Sequence, residues 1–161
     1  MPRAIGNGNC CRRPTALGLD FQDLDVLQLP NLDMQRPEHF VQFVERAKSA
    51  GVDAILMPNL PGYGRFLPLV GRLAAEHRIP AIGFGRTFVE AGGLLSLGPK
   101  EGEGQIAVAS IVDRILRGHK PADIPVVHQR DFTFAVNLKT ASSMGLTLSP
   151  ALLDRADEVV R

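Results

Sequence analysis

A chain of 161 residues with 45% hydrophobic and 22% charged residues suits one ordinary domain with its own buried core. Its formal net charge of +1 carries no electrostatic footprint for nucleic acid or an acidic membrane surface. The longest uninterrupted apolar runs, such as residues 54–58, reach about five residues against the roughly 18 to 20 a bilayer span requires, so a soluble protein is expected.

Residues 1–14 are rich in Gly, Asn and Arg without periodicity and read as a flexible lead, with order expected from Thr15 onward. This lead lacks the apolar core of a secretory signal, so Cys10 is not expected to carry a lipid. Cys10 and Cys11 are adjacent and are the only two cysteines, which excludes a disulfide framework and a four-cysteine zinc site. Residues 21–29 alternate imperfectly and end at Pro30, as a strand leaving into a loop does. Over residues 37–50, Phe40, Val41, Phe43, Val44 and Ala47 recur at helical spacing, with Pro37 in the first turn and Gly51 just past the end. Residues 53–57 form a short apolar run between Gly51 and Pro58, the pattern of a strand buried on both faces.

A second amphipathic helix is predicted over residues 66–78, from Leu67, Leu69, Val70, Leu73 and Ala74, and a second buried strand over 79–84. Residues 92–98 supply a further strand. Residues 104–116 supply a helix whose core side would carry Ile106, Val108, Ile111, Val112 and Ile115, with Gly118 as its stop. Residues 131–136 read as a strand leading into Asn137, a good helix N-cap, and Ser149-Pro150 starts a final helix expected to end near Val160. Strands alternating with helices predict an α/β fold with a doubly wound parallel sheet, because each right-handed crossover packs a helix back on the sheet.

Ligands of such sheets bind beyond the carboxyl ends of the strands. That places candidates on three loops: Pro58, Asn59 and Tyr63 on the first, Phe84 and Arg86 on the second, Ser96 and Gly98 on the third. Asn59 offers a donor and an acceptor, Ser96 a hydroxyl, Arg86 a forked cation for a carboxylate, and Phe84 or Tyr63 a ring for stacking. The set suits a small zwitterion or acid. Each also has a structural role open to it: Asn59 in a turn, Ser96 bonded to backbone, Arg86 as a solvated loop charge. His39, His77, His119 and His128 match no metal-site spacing, and the hydrolase elbow, phosphate-loop and zincin motifs are absent, so no metal, cofactor or catalytic role is expected. Gly83-Phe-Gly85 follows a strand yet lacks the third glycine and acidic partner of a dinucleotide site. Asp154, Asp157 and Glu158, with Arg155 and Arg161, read as a solvated mixed-charge face of the last helix.

Four phrases carry a family resemblance: Phe88-Val-Glu-Ala-Gly-Gly-Leu-Leu-Ser-Leu-Gly98, Ile115-Leu-Arg-Gly-His-Lys-Pro-Ala-Asp-Ile-Pro-Val126, Phe134-Ala-Val-Asn-Leu-Lys-Thr-Ala141, and residues 145–160 from Gly145-Leu-Thr-Leu-Ser-Pro to Ala156-Asp-Glu-Val-Val160. Together with residues 50–58 and 73–83, and more weakly 16–19, they resemble the C-terminal part of ABC transporter substrate-binding proteins, which include tryptophan- and tyrosine-type binders. The resemblance covers about nine-tenths of the chain by that comparison of phrases. It implies a type I periplasmic binding protein fold, two α/β lobes hinged over a ligand. On that frame residues 1–14 are an unrelated lead and 15–91 the second-lobe core. Residues 92–126 are a strand and helix crossing to an incomplete first lobe, and 127–161 the return.

The resemblance implies a solute-binding component, truncated, that holds a small organic solute such as an amino acid without catalysis and passes it to an ABC permease. It also implies a periplasmic or extracytoplasmic site of action, although the chain carries no recognisable signal. The orphan helix at 104–116 would then expose Ile106, Val108, Ile111 and Ile115. Leu97-Gly-Pro-Lys100 departs from the family's common Tyr-Gly-x-Asp, removing an acid that could meet an amino group. The alternative is a stand-alone α/β remnant surviving as a homodimer through that helix, and a third reading is a Rossmann-like enzyme.

Overall fold

The computed structural model describes residues 3–6, 20–23, 36–57, 59, 62–100, 102–128 and 130–161. Seven strands form one sheet in the order β2-β1-β3-β4-β5-β6-β7: β1 Arg3–Gly6, β2 Asp20–Asp23, β3 Ala54–Leu56, β4 Ala81–Gly83, β5 Leu95–Pro99, β6 Phe132–Asn137 and β7 Glu158–Val160. β2 and β3 flank β1 on opposite sides, so the chain winds first to one edge and then to the other, as a doubly wound α/β sheet does.

Local sequence accounts for the central helices. In α1 (Pro37–Ser49) the buried residues are Phe40, Phe43, Val44 and Ala47, three to four apart, and Gly51 follows at φ 63. In α2 (Leu67–Glu76) they are Leu67, Val70, Gly71 and Ala74, again one stripe. A single tight turn at Gly64–Phe66 precedes α2. β3 and β4 contribute Ile55 and Ala81, both essentially inaccessible, between these helices.

The core closes over Phe88, in α3 (Arg86–Glu90), a short helix inside what the sequence reads as a loop between strands. Phe88 is fully buried, and its ring lies against three glycines, Gly71, Gly83 and Gly93. A Cβ on Gly93 would overlap the ring, and one on Gly83 would stand 2.8 Å from its Cε1. A Cβ on Gly71 would stand 2.8 Å from the Phe88 carbonyl oxygen, so α2 and α3 approach backbone to backbone. Bare glycine surfaces on β4, α2 and the turn before β5 thus make the socket for one large ring.

Four expectations need correction. The lead is not wholly irregular: Arg3–Gly6 is an inner strand paired in parallel with β2 and with β3. Four residues are too few for a periodic pattern, and only their distant partners make them a strand. The expected strand over 21–29 is found at Asp20–Asp23, its remainder lying outside the described residues. The sheet is not wholly parallel, because β6 runs antiparallel to β5, Leu95 opposite Val136 and Pro99 opposite Phe132.

The final helix stops early. α6 spans only Pro150–Leu153, with Ser149 capping it through a 3.3 Å bond from Leu152 N–H, and the chain then turns into β7. Asp157 makes that turn: its N–H donates to the Phe134 carbonyl and its Oδ2 accepts from the Phe134 N–H, both at 2.8 Å. Two bonds to β6 outweigh the helix propensity of a four-residue stretch.

Last, α4 (Glu103–Leu116) buries no residue, so its apolar side chains do not face this core. Ile106 is 72% exposed and Leu116 81%, and Val108, Val112 and Ile115 are also exposed. Of the four residues expected to be exposed on this helix, Ile106, Val108 and Ile115 are, and Ile111 is half-buried.

Candidate ligand-binding cleft

At the carboxyl ends of β4 and β5 a cavity of about 350 Å³ opens, within the size range of small-molecule sites. Its floor is built by strand pairing. Gly98 pairs with Thr133 and Ser96 with Ala135 across the antiparallel β5–β6 ladder, so these four residues share one face, and Glu158 stands beside Ala135 in the parallel β6–β7 register. The opposite face of the same ribbon carries Leu97 and Phe132, both exposed.

The other wall is the turn from β4 into α3: Phe84, Gly85, Arg86 and Thr87. Gly85 enters the helix at φ 81, a conformation that L side chains rarely adopt. A Cβ on Gly98 would stand 3.1 Å from the Cβ of Phe84, so the bare strand lets the turn sit close without filling the cleft. Ser96 is 3% exposed, while Phe84 and Glu158 are half-buried.

Arg86 is the cleft's cation and is already engaged. Its Nε donates to Glu90 Oε1 at 2.7 Å, one helical turn on, and Nη1 lies 3.4 Å from Glu158 Oε2. The Glu90 hydrogen bond first, and then the charge of Glu158, hold the guanidinium above its ordinary pKa, so it is charged at any physiological pH.

A family model for the ABC transporter substrate binding protein matches residues 27–160. The chain belongs to that family. No curated protein matches it. Among solved structures, a conserved domain protein from Vibrio cholerae O1 biovar eltor superposes with TM-score 0.76 at 17% identity, over 98% of this chain and 53% of that one. The ABC domain from Streptococcus pneumoniae in complex with L-Trp gives 0.72 at 20% identity, over 98% and 54%. The ligand-free, open structure of CD0873 from Clostridium difficile, a substrate-binding protein with adhesive properties, gives 0.52 at 17% identity, over 99% and 53%. This member of the substrate-binding family therefore spans about half the length of each of these three structures, and at these identities the likeness is one of fold.

Of the residues singled out from sequence, Phe84, Arg86, Ser96 and Gly98 meet around this one cavity. Tyr63 does not join them: it is 2% exposed and packs edge-on against Phe40 at 5.4 Å, giving its ring to the core. Asn59 is exposed after β3 and is not among the lining residues, and Pro58 lies outside the described residues. Sequence reasoning missed Thr133 and Glu158. Alternation along residues 131–136 could have flagged Thr133, whereas Glu158 was hidden by its assignment to a helix face. Among the described residues no three His, Cys, Asp or Glu side chains are grouped to hold a metal ion, and no helix is long and apolar enough to cross a membrane.

Proposed function

We propose that the chain supplies one wall of a solute-binding cleft and holds a small organic solute without making or breaking bonds. One observation carries this reading: in a member of the substrate-binding family, four positions chosen from sequence converge on a cavity at the carboxyl ends of β4 and β5. The L-Trp bound to the pneumococcal neighbour supports an amino-acid-like solute, with Phe84 available to stack on a ring. Such a protein works by differential affinity, the ligand favouring a closed form, and delivers its solute to an ABC permease on the extracytoplasmic side.

In that scheme β3 to β5, with α1 to α3, form one lobe, and α4 with residues 117–126 belongs to a second lobe on the far side of the cleft. The exposed stripe of α4 would pack there. The same stripe supports a second reading, a homodimer joined through α4. Sedimentation equilibrium separates the two: a monomer at all concentrations removes the dimer, and a mass-action dimer supports it.

Thermal melts with amino acids test the binding reading. A solute at roughly 100 times its Kd adds about 2.7 kcal/mol, several degrees for a domain of this size. Gly98→Val, which places a branched side chain against Phe84, is expected to keep a cooperative melt and lose the ligand shift. If no amino acid moves the wild-type midpoint, the reading fails; if the shift survives in Gly98→Val, the cleft has been placed wrongly.

A further inference from the structure

The charges around the cleft do not favour an anion. Arg86 is the guanidinium on its wall and Glu158 the carboxylate facing it. The 2.7 Å bond from Arg86 Nε to Glu90 is short and charge-assisted, within one turn of α3, whereas the 3.4 Å approach of Nη1 to Glu158 is long for an ion pair in direct contact. The guanidinium is thus committed first to a residue outside the cavity lining. One cation with two carboxylates leaves this cluster at a net charge of −1, and Glu158 is its least compensated member.

Glu158 is also held in place. It is the first residue of β7, and its neighbour Asp157 is pinned to β6 by its own N–H and its side-chain Oδ2, which bond the Phe134 carbonyl and N–H, both at 2.8 Å. An ammonium group brings three donors and needs several acceptors, and the face beside Glu158 offers the hydroxyls of Ser96 and Thr133.

Resting on the solute-binding reading above, we propose that Glu158 determines specificity by accepting the ammonium group of an amine-bearing solute, and that Arg86 is engaged by Glu90 rather than gripping a ligand carboxylate.

Titrations followed by amide NMR shifts of the whole chain decide the point, with three probes sharing one ring: L-tryptophan, tryptamine without the carboxylate, and indole-3-propionate without the amine. Wild type is expected to bind tryptamine and L-tryptophan about threefold or more tighter than indole-3-propionate, as one partly screened charge contact allows. Glu158→Gln should abolish that preference, and Arg86→Gln, which frees Glu158, should preserve or enlarge it. A preference unchanged in Glu158→Gln, or tighter wild-type binding of indole-3-propionate, overturns the assignment while leaving solute binding intact. If Glu158→Gln does not fold, an amine preference lost in Arg86→Gln overturns it equally. Failure of every probe to bind wild type overturns the solute-binding reading itself, and this inference with it.

Discussion

Phe88→Ala is expected to lower the unfolding free energy by about 3–5 kcal/mol, a third or more of what a domain this size commonly has. The ring is wholly buried, and the surfaces it rests on belong to Gly71, Gly83 and Gly93, which have no side chains to move into the space it leaves. The cavity would therefore persist, and the cost includes both lost transfer energy and lost contact. Denaturant unfolding of the variant beside Leu97→Ala, at a site 59% exposed, measures the difference. A Phe88→Ala cost below about 1.5 kcal/mol would mean that the glycine socket collapses around the gap, and the packing account would be wrong.

Asn137 should be the second most sensitive position, and its substitutions should rank in an order that helix capping alone does not predict. Its Oδ1 accepts from Thr140 N–H at 2.8 Å, capping α5 (Leu138–Ser143), while its Nδ2 donates to the Val89 carbonyl at 2.8 Å. The side chain is 3% exposed, and Thr140 Oγ1 makes a parallel link to the Gly92 carbonyl at 3.2 Å. One amide thus ties β6 and α5 to α3. Asn137→Ala removes a cap and a buried bond, about 2–3 kcal/mol together, since the Val89 carbonyl keeps a second bond from Gly92 N–H. Asn137→Asp restores the cap acceptor but points a buried carboxylate at a carbonyl oxygen, so aspartate, ordinarily as good a cap as asparagine, should be no better than alanine here. Stability of the aspartate variant within about 0.5 kcal/mol of wild type would show that capping is the whole role.

Much of the fold was legible because it depends on neighbours in sequence. The stripes of α1 and α2, the apolar runs of β3 and β4, and the caps at Asn137 and Ser149 are local patterns, and the structure places each where its pattern lies. The rule that ligands meet the carboxyl ends of strands then brought Phe84, Arg86, Ser96 and Gly98 to one cavity. Tyr63 failed the same reasoning because a ring in a loop can turn inward as easily as outward, and Phe40 gave it a partner there.

By itself, then, the sequence determined the alternation of strands and helices, the buried faces of the central elements, and the family. Tertiary structure alone decided that Arg3–Gly6 is an inner strand, that β6 runs antiparallel, and that Glu158 belongs to a strand at the cleft, while it left the apolar stripe of α4 uncovered as the resemblance implied. The physical reason is shared. A three- or four-residue strand gains its identity from hydrogen bonds to segments far away in the chain, and an apolar helix stripe records that a partner is needed without saying which surface it is.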